Sequence, residues 1–250
     1  MYEAVSAYPD GTSTVSRYAR TAARYGYDGL VVRSRGGDSD PDAIAETYEI
    51  DVVSGIEIDA ETPQQAAGSI GNFRPRCSVL MVRGGSDELN RFCVETDRVD
   101  VLTRPMATGG DINHVLARAA KTNRVFIEFD LGSVLREHGG NRVKAIRTLR
   151  KLRELVEHYD APFVVSANAT SHFELRAPRE LCALGEQIGF SAAQIRSGLR
   201  AWREIAARNR RRASDAYIEP GVRLGRTGDA ETAGCDHADE TLDPSGEQSQ

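Results

Sequence analysis

Carboxylate and polar side chains stand at or near the predicted ends of several strands, where they could act as acids, bases or ligands. Glu57, Glu128 and Asp130 are the carboxylates, and Ser166 and Asn168 follow a later strand. Two carboxylates brought to one site could form a general acid and base pair. The alternative is structural, with Glu128 and Asp130 capping loops or facing the protein interior in ion pairs with nearby arginines.

Histidine adds one candidate at most, because only His172 follows a predicted strand. A hydrolytic metal site generally draws on several histidines and carboxylates at strand ends. One histidine is too few, so we expect His172 to be a solvent-facing loop residue and the chain to bind no metal. The sequence also lacks the dinucleotide-binding, phosphate-binding and serine-hydrolase motifs.

Positive charge is concentrated in two segments. Seven basic residues and one acid fall between Arg136 and Arg153, on a predicted helix whose apolar stripe leaves most of them outside. This face could equally be a solvated surface. Residues 196–226 hold nine arginines against three acids, and four of the nine lie in 208–212 at a predicted helix end. Because a helix dipole favours cations only in the last turn, this run predicts a phosphate-binding surface.

We therefore expect RNA phosphates to be contacted by a set of nine basic residues, while no residue of this chain is catalytic. The nine are Arg142, Lys144, Arg147, Lys151, Arg176, Arg208, Arg210, Arg211 and Arg212. The last helix should dock through its apolar stripe of Ile195, Leu199, Trp202 and Ile205. On this hypothesis, replacing the four arginines of 208–212 would leave the fold intact.

Short β-branched runs alternate with helical stretches along the chain. The seven predicted strands read EAVSA, GLVVR, VVSGI, CSVLMVR, VDVLT, VFIEFD and PFVVSA. Several are apolar almost throughout, as in parallel sheets that are buried on both faces. Helix starts are marked by Asp40-Pro41, Thr62-Pro63 and Ala177-Pro178, and by a capping box at Ser191 and Gln194. Repeated strand and helix units predict a TIM-like β/α barrel over residues 1–226.

The remainder, residues 227–250, contains seven acids, no lysine or arginine and one leucine. Such a composition cannot bury enough apolar surface to fold, so we expect a disordered acidic tail. The N-terminus has no signal-peptide pattern and no membrane-length apolar stretch occurs, which favours a cytoplasmic protein. Cys77, Cys93 and Cys182 are expected to be reduced packing residues.

The order of motifs is similar to that of archaeal ribonuclease P protein component 3, a family related to the 30-kilodalton subunit of the eukaryotic enzyme. Five runs carry the resemblance: SGIEI (54–58), DVLTRP (100–105), INHVLARAAKTNRVFIEFDL (112–131), VVSANA (164–169) and LRAPRELCALGEQIGFS (175–191). The similarity covers about residues 1–215.

The resemblance implies a barrel related to the polymerase and histidinol phosphatase (PHP) fold, within an endoribonuclease that removes the 5′ leader of precursor tRNA. It also implies that the RNA subunit is the catalyst, with magnesium, and that this chain binds no cofactor and positions that RNA. Implied partners are the RNA, protein component 2, other protein subunits and, indirectly, precursor tRNA. PHP enzymes carry a His-x-His at the first strand, whereas this chain reads Val5-Ser6-Ala7-Tyr8.

Two other functions remain open from the sequence. One is a free-standing PHP-like hydrolase that uses Glu57, Glu128, Asp130 and His172, with or without a metal. The other is an interaction scaffold that binds only protein, and such a scaffold would show no salt-dependent RNA affinity.

Overall fold

Strands and helices alternate in the computed structural model, which describes residues 1–33 and 40–214 and the backbone of two further short strands. Seven strands form one sheet: β1 Tyr2–Val5, β2 Gly29–Val32, β3 Asp51–Ile58, β4 Val79–Arg83, β5 Val101–Thr103, β6 Phe126–Asp130 and β7 Phe163–Ser166. Neighbours in the sheet follow chain order, and every pair is parallel. All seven predicted strands are confirmed.

The helices in the described residues are α1 Val15–Tyr25, α2 Pro41–Tyr48, α3 Pro63–Phe73, α4 Asp87–Glu95, α5 His114–Asn123, α6 Gly132–Arg136, α7 Gly139–Tyr159, α8 Pro178–Ile188 and α9 Ala192–Arg212, with 3-10 turns at Arg74–Arg76 and His172–Glu174. The side chains of Asp40 and Thr62 cap α2 and α3 as predicted. The capping box of α9 is also confirmed, because Ser191 and Gln194 bond each other's backbone N–H.

The first and last strands meet, so that the sheet is a nearly closed barrel. Ala169, just beyond β7, pairs with Val5, and the Ser6 N–H donates to the Ala169 carbonyl at 2.9 Å. On the helix side of this junction, the Tyr18 hydroxyl donates to the carbonyls of Ser6 and Ala169 at 3.2 and 3.0 Å. These bonds satisfy backbone groups that would otherwise remain unpaired at two sheet edges.

Two apolar cores lie on either side of the sheet. The larger lies between the strands and the surrounding helices. The smaller consists of alternate strand residues, including Ala4, Val31, Val53 and Met81, packed with Trp202 of α9. Because side chains alternate across a strand, this smaller core is the barrel interior. Trp202 is fully buried and its indole N–H donates to the Val165 carbonyl at 2.9 Å.

A second compact unit, Ala213–Gln250, contains β8 Tyr217–Glu219 and β9 Val222–Arg223 in an antiparallel pair that the sequence analysis did not predict. The first unit ends at Arg212 rather than at residue 226. The predicted tail, residues 227–250, lies outside the described residues. None of the helices in the described ranges combines the length and the apolar character that crossing a bilayer requires.

Candidate nucleic-acid interface

The carboxyl end of the barrel carries a layer of polar side chains that point inward. Arg33 follows the inward Val31 by two residues, and the strand register sets Glu128 in the same interior layer. Arg33 is 3% exposed and Glu128 is 1% exposed. The two side chains form an ion pair through the Arg33 Nη2 and the Glu128 Oε1.

Other groups complete this pair. Ser166 Oγ donates to Glu128 Oε1 at 2.6 Å, and Arg33 Nη1 lies 3.8 Å from Glu57 Oε1. Thr103 Oγ1 donates to Glu57 at 2.5 Å. Beneath the layer, the Arg33 guanidinium stands 5.5 Å from the centre of the Trp202 ring. The barrel mouth is therefore closed by a buried arginine held between two carboxylates, which we call the Arg33 pair network (Arg33, Glu57, Glu128).

Burial and charge act in opposite directions on these groups. Burial raises the pKa of the Glu128 carboxyl, and Arg33 offsets part of that rise. Burial would also raise the pKa of Glu57, but Arg33, Thr103 and Arg83 together hold it below its usual value. The pKa of Arg33 is raised, because its neighbouring carboxylates outweigh the cost of burial. The network thus holds a permanent cation at the barrel mouth.

The remaining strand-end candidates are also paired. Arg104 Nε lies 3.1 Å from Asp130, and Asn168 Nδ2 donates to the same carboxylate at 2.8 Å. His172, which is half-buried, lies against Ser13 through a 2.8 Å contact of its Nδ1 with Ser13 Oγ, instead of joining the carboxylates. The structural alternative, in which Glu128 and Asp130 pair with arginines, is confirmed. No three histidine, cysteine or acidic side chains come together as metal ligands among the described residues.

The opposite, amino end of the barrel is crossed by α9, whose last turns carry the predicted arginines. Arg208 Nη2 lies 2.7 Å from Asp100, and Arg74 Nη1 lies 2.5 Å from the same carboxylate. Arg208 also donates to the Arg124 carbonyl at 3.3 Å, and its pKa is lowered by burial, then by Arg212 and Arg74. Two arginines therefore share one acid, with Arg212 close enough to act on the pKa of Arg208 and the Arg124 backbone in contact with it; we call these four residues the amino-end Arg cluster (Arg74, Arg124, Arg208 and Arg212).

The four arginines of 208–212 do not share one environment, because two of them pair with acids of the barrel. The Arg210 guanidinium donates two hydrogen bonds, of 2.7 and 2.8 Å, to the Asp51 carboxylate at the start of β3. The Tyr2 hydroxyl donates to the same carboxylate. Burial alone would raise the pKa of Asp51, but Arg210 and Tyr2 lower it. Arg208 and Arg210 thus help fasten α9 to the barrel, although Arg210, like Arg211 and Arg212, is exposed.

Arg74 and Arg124 were missed by the sequence analysis because neither lies in a basic run. Each precedes a parallel strand, in the turn that leads from a helix into β4 or β6. The amino ends of parallel strands share one side of a barrel, so position relative to the strands was the signal that could have found them.

The predicted residues of α7 form a separate surface, the α7 face (Arg142, Lys144, Arg147 and Lys151), and all four are exposed. Lys151 pairs with Asp111 at 2.5 Å, and Arg142 donates to the Leu135 carbonyl at 3.4 Å. No hydrogen bond or ion pair joins the side chain of Lys144 or Arg147 to another described residue.

The α7 face borders a cleft of about 510 Å³ at the carboxyl end of the barrel. Arg104, Arg136 and Lys144 line it together with apolar side chains of α7 such as Leu149. Arg176 belongs to neither surface, because it donates to the carbonyls of Phe173 and Leu175 in the loop after β7. The nine predicted residues therefore occupy three places on the barrel.

Sequence comparison gives consistent relatives. A family model described as RNase P subunit p30 matches residues 1–214. Ribonuclease P protein component 3 of Halorubrum lacusprofundi is 56% identical over 236 residues, covering 90% of this chain and 98% of the relative. The protein of the same name from Methanosarcina barkeri is 34% identical over 230 residues, covering 90% of this chain and 95% of the relative.

Solved structures with the same fold include a chain from a cryo-EM structure of archaeal ribonuclease P with mature tRNA. Its TM-score is 0.77 at 24% identity, covering 90% of this chain and 97% of that one. A putative histidinol phosphatase from Listeria monocytogenes gives a TM-score of 0.52 at 9% identity, covering 73% of this chain and 100% of that one. The second likeness relates the barrel to the PHP fold.

Proposed function

The chain belongs to the RNase P subunit p30 family and is a protein subunit of ribonuclease P, the tRNA-processing endonuclease. From this premise we propose that it binds and positions the catalytic RNA and does no chemistry itself. The observation that carries the proposal is the amino-end Arg cluster. Two guanidiniums share the single Asp100 carboxylate, so the cluster retains positive charge after its internal pairing.

Excess positive charge at a fixed surface is what a phosphate backbone requires. Arginine presents a planar set of donors that suits phosphate oxygens. Binding releases counterions condensed on the RNA, and this makes the affinity depend steeply on salt. Phosphate contacts fix register and orientation without reading sequence, so they suit a subunit that holds a folded RNA in place.

The Arg33 pair network supports the non-catalytic part of the proposal. A PHP-type active site requires metal ligands at the carboxyl end of the barrel, and the carboxylates there are instead engaged by a buried guanidinium. A divalent cation placed among them would meet the positive charge of Arg33 at close range. The residues present therefore do not fit such a metal, which counts against the hydrolase alternative.

In this proposal the chain binds no cofactor and magnesium serves the RNA subunit. Protein component 2 and the other protein subunits are its protein partners, and precursor tRNA is an indirect one. We place this work in the cytoplasm, where precursor tRNA is made in cells without a nucleus.

The proposal is tested by RNA affinity measured against salt. The double variant Arg124→Gln and Arg212→Gln removes two charges of the amino-end Arg cluster while leaving the Arg208 and Arg210 bonds in place. We expect the slope of log affinity against log salt to fall by about 0.7 to 0.9 for each phosphate that is no longer neutralised. The full chain and a structured ribonuclease P RNA are used, with filter binding or fluorescence anisotropy as the measurement.

Two further double variants locate the surface. Lys144→Gln with Arg147→Gln removes equal charge from the α7 face, and Arg91→Gln with Arg118→Gln is the charge-matched control on α4 and α5. A reduced slope in the α7 variant alone would move the phosphate-binding surface to the α7 face. Equal slopes in all three variants and the parent chain would refute phosphate binding at both surfaces.

A further inference from the structure

Two aromatic side chains are unusually exposed on one surface. Phe173 is 81% exposed and Tyr8 is 67% exposed, the two highest values among the large hydrophobic residues described. Tyr8 follows β1 and Phe173 follows β7, so both lie at the carboxyl end of the barrel beside the junction of those strands. The two loops are joined by the Thr12 N–H, which donates to the Thr170 carbonyl at 2.8 Å.

Phe173 is held in a fixed turn. Arg176 donates to the Phe173 carbonyl at 3.1 Å, and the His172 N–H donates to Ser13 Oγ at 3.1 Å. The imidazole of His172 packs on the Phe173 ring, with centroids 4.0 Å apart. A ring fixed in this way is already oriented for a partner and loses little conformational entropy on binding.

A basic stripe begins beside these rings. Arg17, Arg20 and Arg24 are spaced three and four residues apart on α1, so they share one helix face, and all three are exposed. The helix contains no acidic residue. No hydrogen bond or ion pair joins the side chains of these three arginines to another residue in the described part of the chain. The helix begins directly after Thr14, next to the Ser13 that contacts His172.

We propose that this surface, the stacking face (Tyr8, Arg17, Arg20, His172 and Phe173), binds a single-stranded segment of RNA. It is distinct from the amino-end Arg cluster and from the α7 face, and it rests on the proposed role in holding RNA. Aromatic rings stack on bases that are free of a helix, while neighbouring arginines neutralise the connecting phosphates. Paired bases in a duplex offer no such face, so the partner is a loop or a single-stranded joint.

The charge and shape of the surface favour RNA over a protein partner. An obligate protein interface is usually an extended apolar patch with charges excluded from its centre. Here two rings stand beside an acid-free row of arginines, as in proteins that track a single strand.

The test uses the full chain and a fluorescein-labelled single-stranded RNA of about twelve nucleotides, with an RNA duplex of the same length as the matched probe. Phe173→Ala should weaken single-strand binding about tenfold with an unchanged salt slope, because the ring that stacks on a base carries no charge. Arg17→Gln with Arg20→Gln should instead lower the slope by about 0.7 for each phosphate that is no longer neutralised. Phe173→Trp should retain affinity, and its new indole should be quenched by the bound bases.

Duplex binding should be insensitive to Phe173. Circular dichroism should be unchanged in every variant, because the side chain of Phe173 is largely in solvent. Unchanged single-strand affinity in Phe173→Ala would overturn the inference, as would equal weakening on the duplex. Loss of binding to a protein subunit without loss of RNA affinity would also overturn it, and would make the surface a protein interface.

A failure of this inference can be distinguished from a failure of the proposed function. If the Arg124 and Arg212 variant lowers the salt slope on structured RNA while Phe173→Ala has no effect on a single strand, the proposed function stands and this inference fails.

Discussion

At the scale of single residues, the carboxylates of the barrel mouth show what sequence position can and cannot reveal. Their place at strand ends was predictable from the apolar runs that precede them. Their partner was not predictable, because Arg33 lies 95 residues from Glu128. Nothing in the predicted strand GLVVR marks its last residue as the partner of a carboxylate. Only the parallel register brings the two side chains into one layer. The fold was therefore needed to decide whether the carboxylates form an acid and base pair or are held in ion pairs with arginine.

Glu3 is another buried carboxyl, and it lies on the helix side of β1. It accepts hydrogen bonds from the Ala167 N–H at 2.8 Å and from the Tyr27 hydroxyl at 3.2 Å. Burial raises its pKa from 4.5 to about 8, despite these bonds and Arg33. Folding therefore favours the protonated form of Glu3.

This shift predicts a pH dependence of stability. The contribution of Glu3 is fully present below pH 4.5 and is lost as the pH rises through about 8, at up to about 1.4 kcal/mol per pH unit. Glu3→Gln keeps a neutral acceptor, so its free energy of unfolding should fall less over this pH range than that of the parent chain. Urea unfolding at several pH values measures this, with exposed Glu46→Gln as control. Parallel curves for Glu3→Gln and the parent would contradict the assignment.

At the scale of elements, α9 determines how the amino end of the barrel is closed. Its apolar stripe and its capping box were predictable from spacing, and both are as expected. The contribution of Arg208 and Arg210 was not predictable, since their partners Asp100 and Asp51 lie 108 and 159 residues away. Within one run of like charges in sequence, the fold thus pairs Arg208 and Arg210 with acids of the barrel.

The close approach of α9 to β7 depends on Gly198. A Cβ at this position would lie 2.6 Å from Val165 Cγ2 and 3.0 Å from Phe163 Cε2. Gly198→Ala should therefore push the helix from the strand and destabilise the protein by about 1 to 3 kcal/mol. Gly68→Ala on α3 is the matched control, because its Cβ meets nothing within 4 Å and alanine favours the helix. Chemical denaturation should give opposite signs for the two variants, and a stabilising Gly198→Ala would refute the close packing.

At the scale of the whole molecule, the order of seven strands and their parallel direction followed from repeated apolar runs and capped helix starts. Closure of the barrel was predicted too, but the contacts that make it were not, because the bond between Ser6 and Ala169 joins residues from the two ends of the sheet across most of the chain. The sequence predicted the basic residues as segments of the chain, whereas the fold places the nine of them at three separate positions on the barrel. Residues such as Arg74 and Arg124 are brought to one of them by strand direction alone.

The whole barrel should be inactive without RNA. We expect the purified chain, freed of nucleic acid, to leave precursor tRNA uncut at any magnesium or manganese concentration, because its strand-end carboxylates are held in ion pairs. Gel analysis of 5′-labelled precursor measures cleavage, and reconstitution with the RNA subunit and the other proteins is the positive control. Cleavage that persists without RNA and disappears in Glu128→Gln would establish a protein active site.

The buried guanidinium of Arg33 has a consequence for the durability of the barrel mouth. A bound ion can be lost to a chelator, diluted, or replaced by a competing ion that reaches the same ligands. Arg33 is part of the polypeptide, so every folded chain carries the positive charge that balances Glu57 and Glu128. The charge balance at this end of the barrel therefore does not depend on an ion that can dissociate.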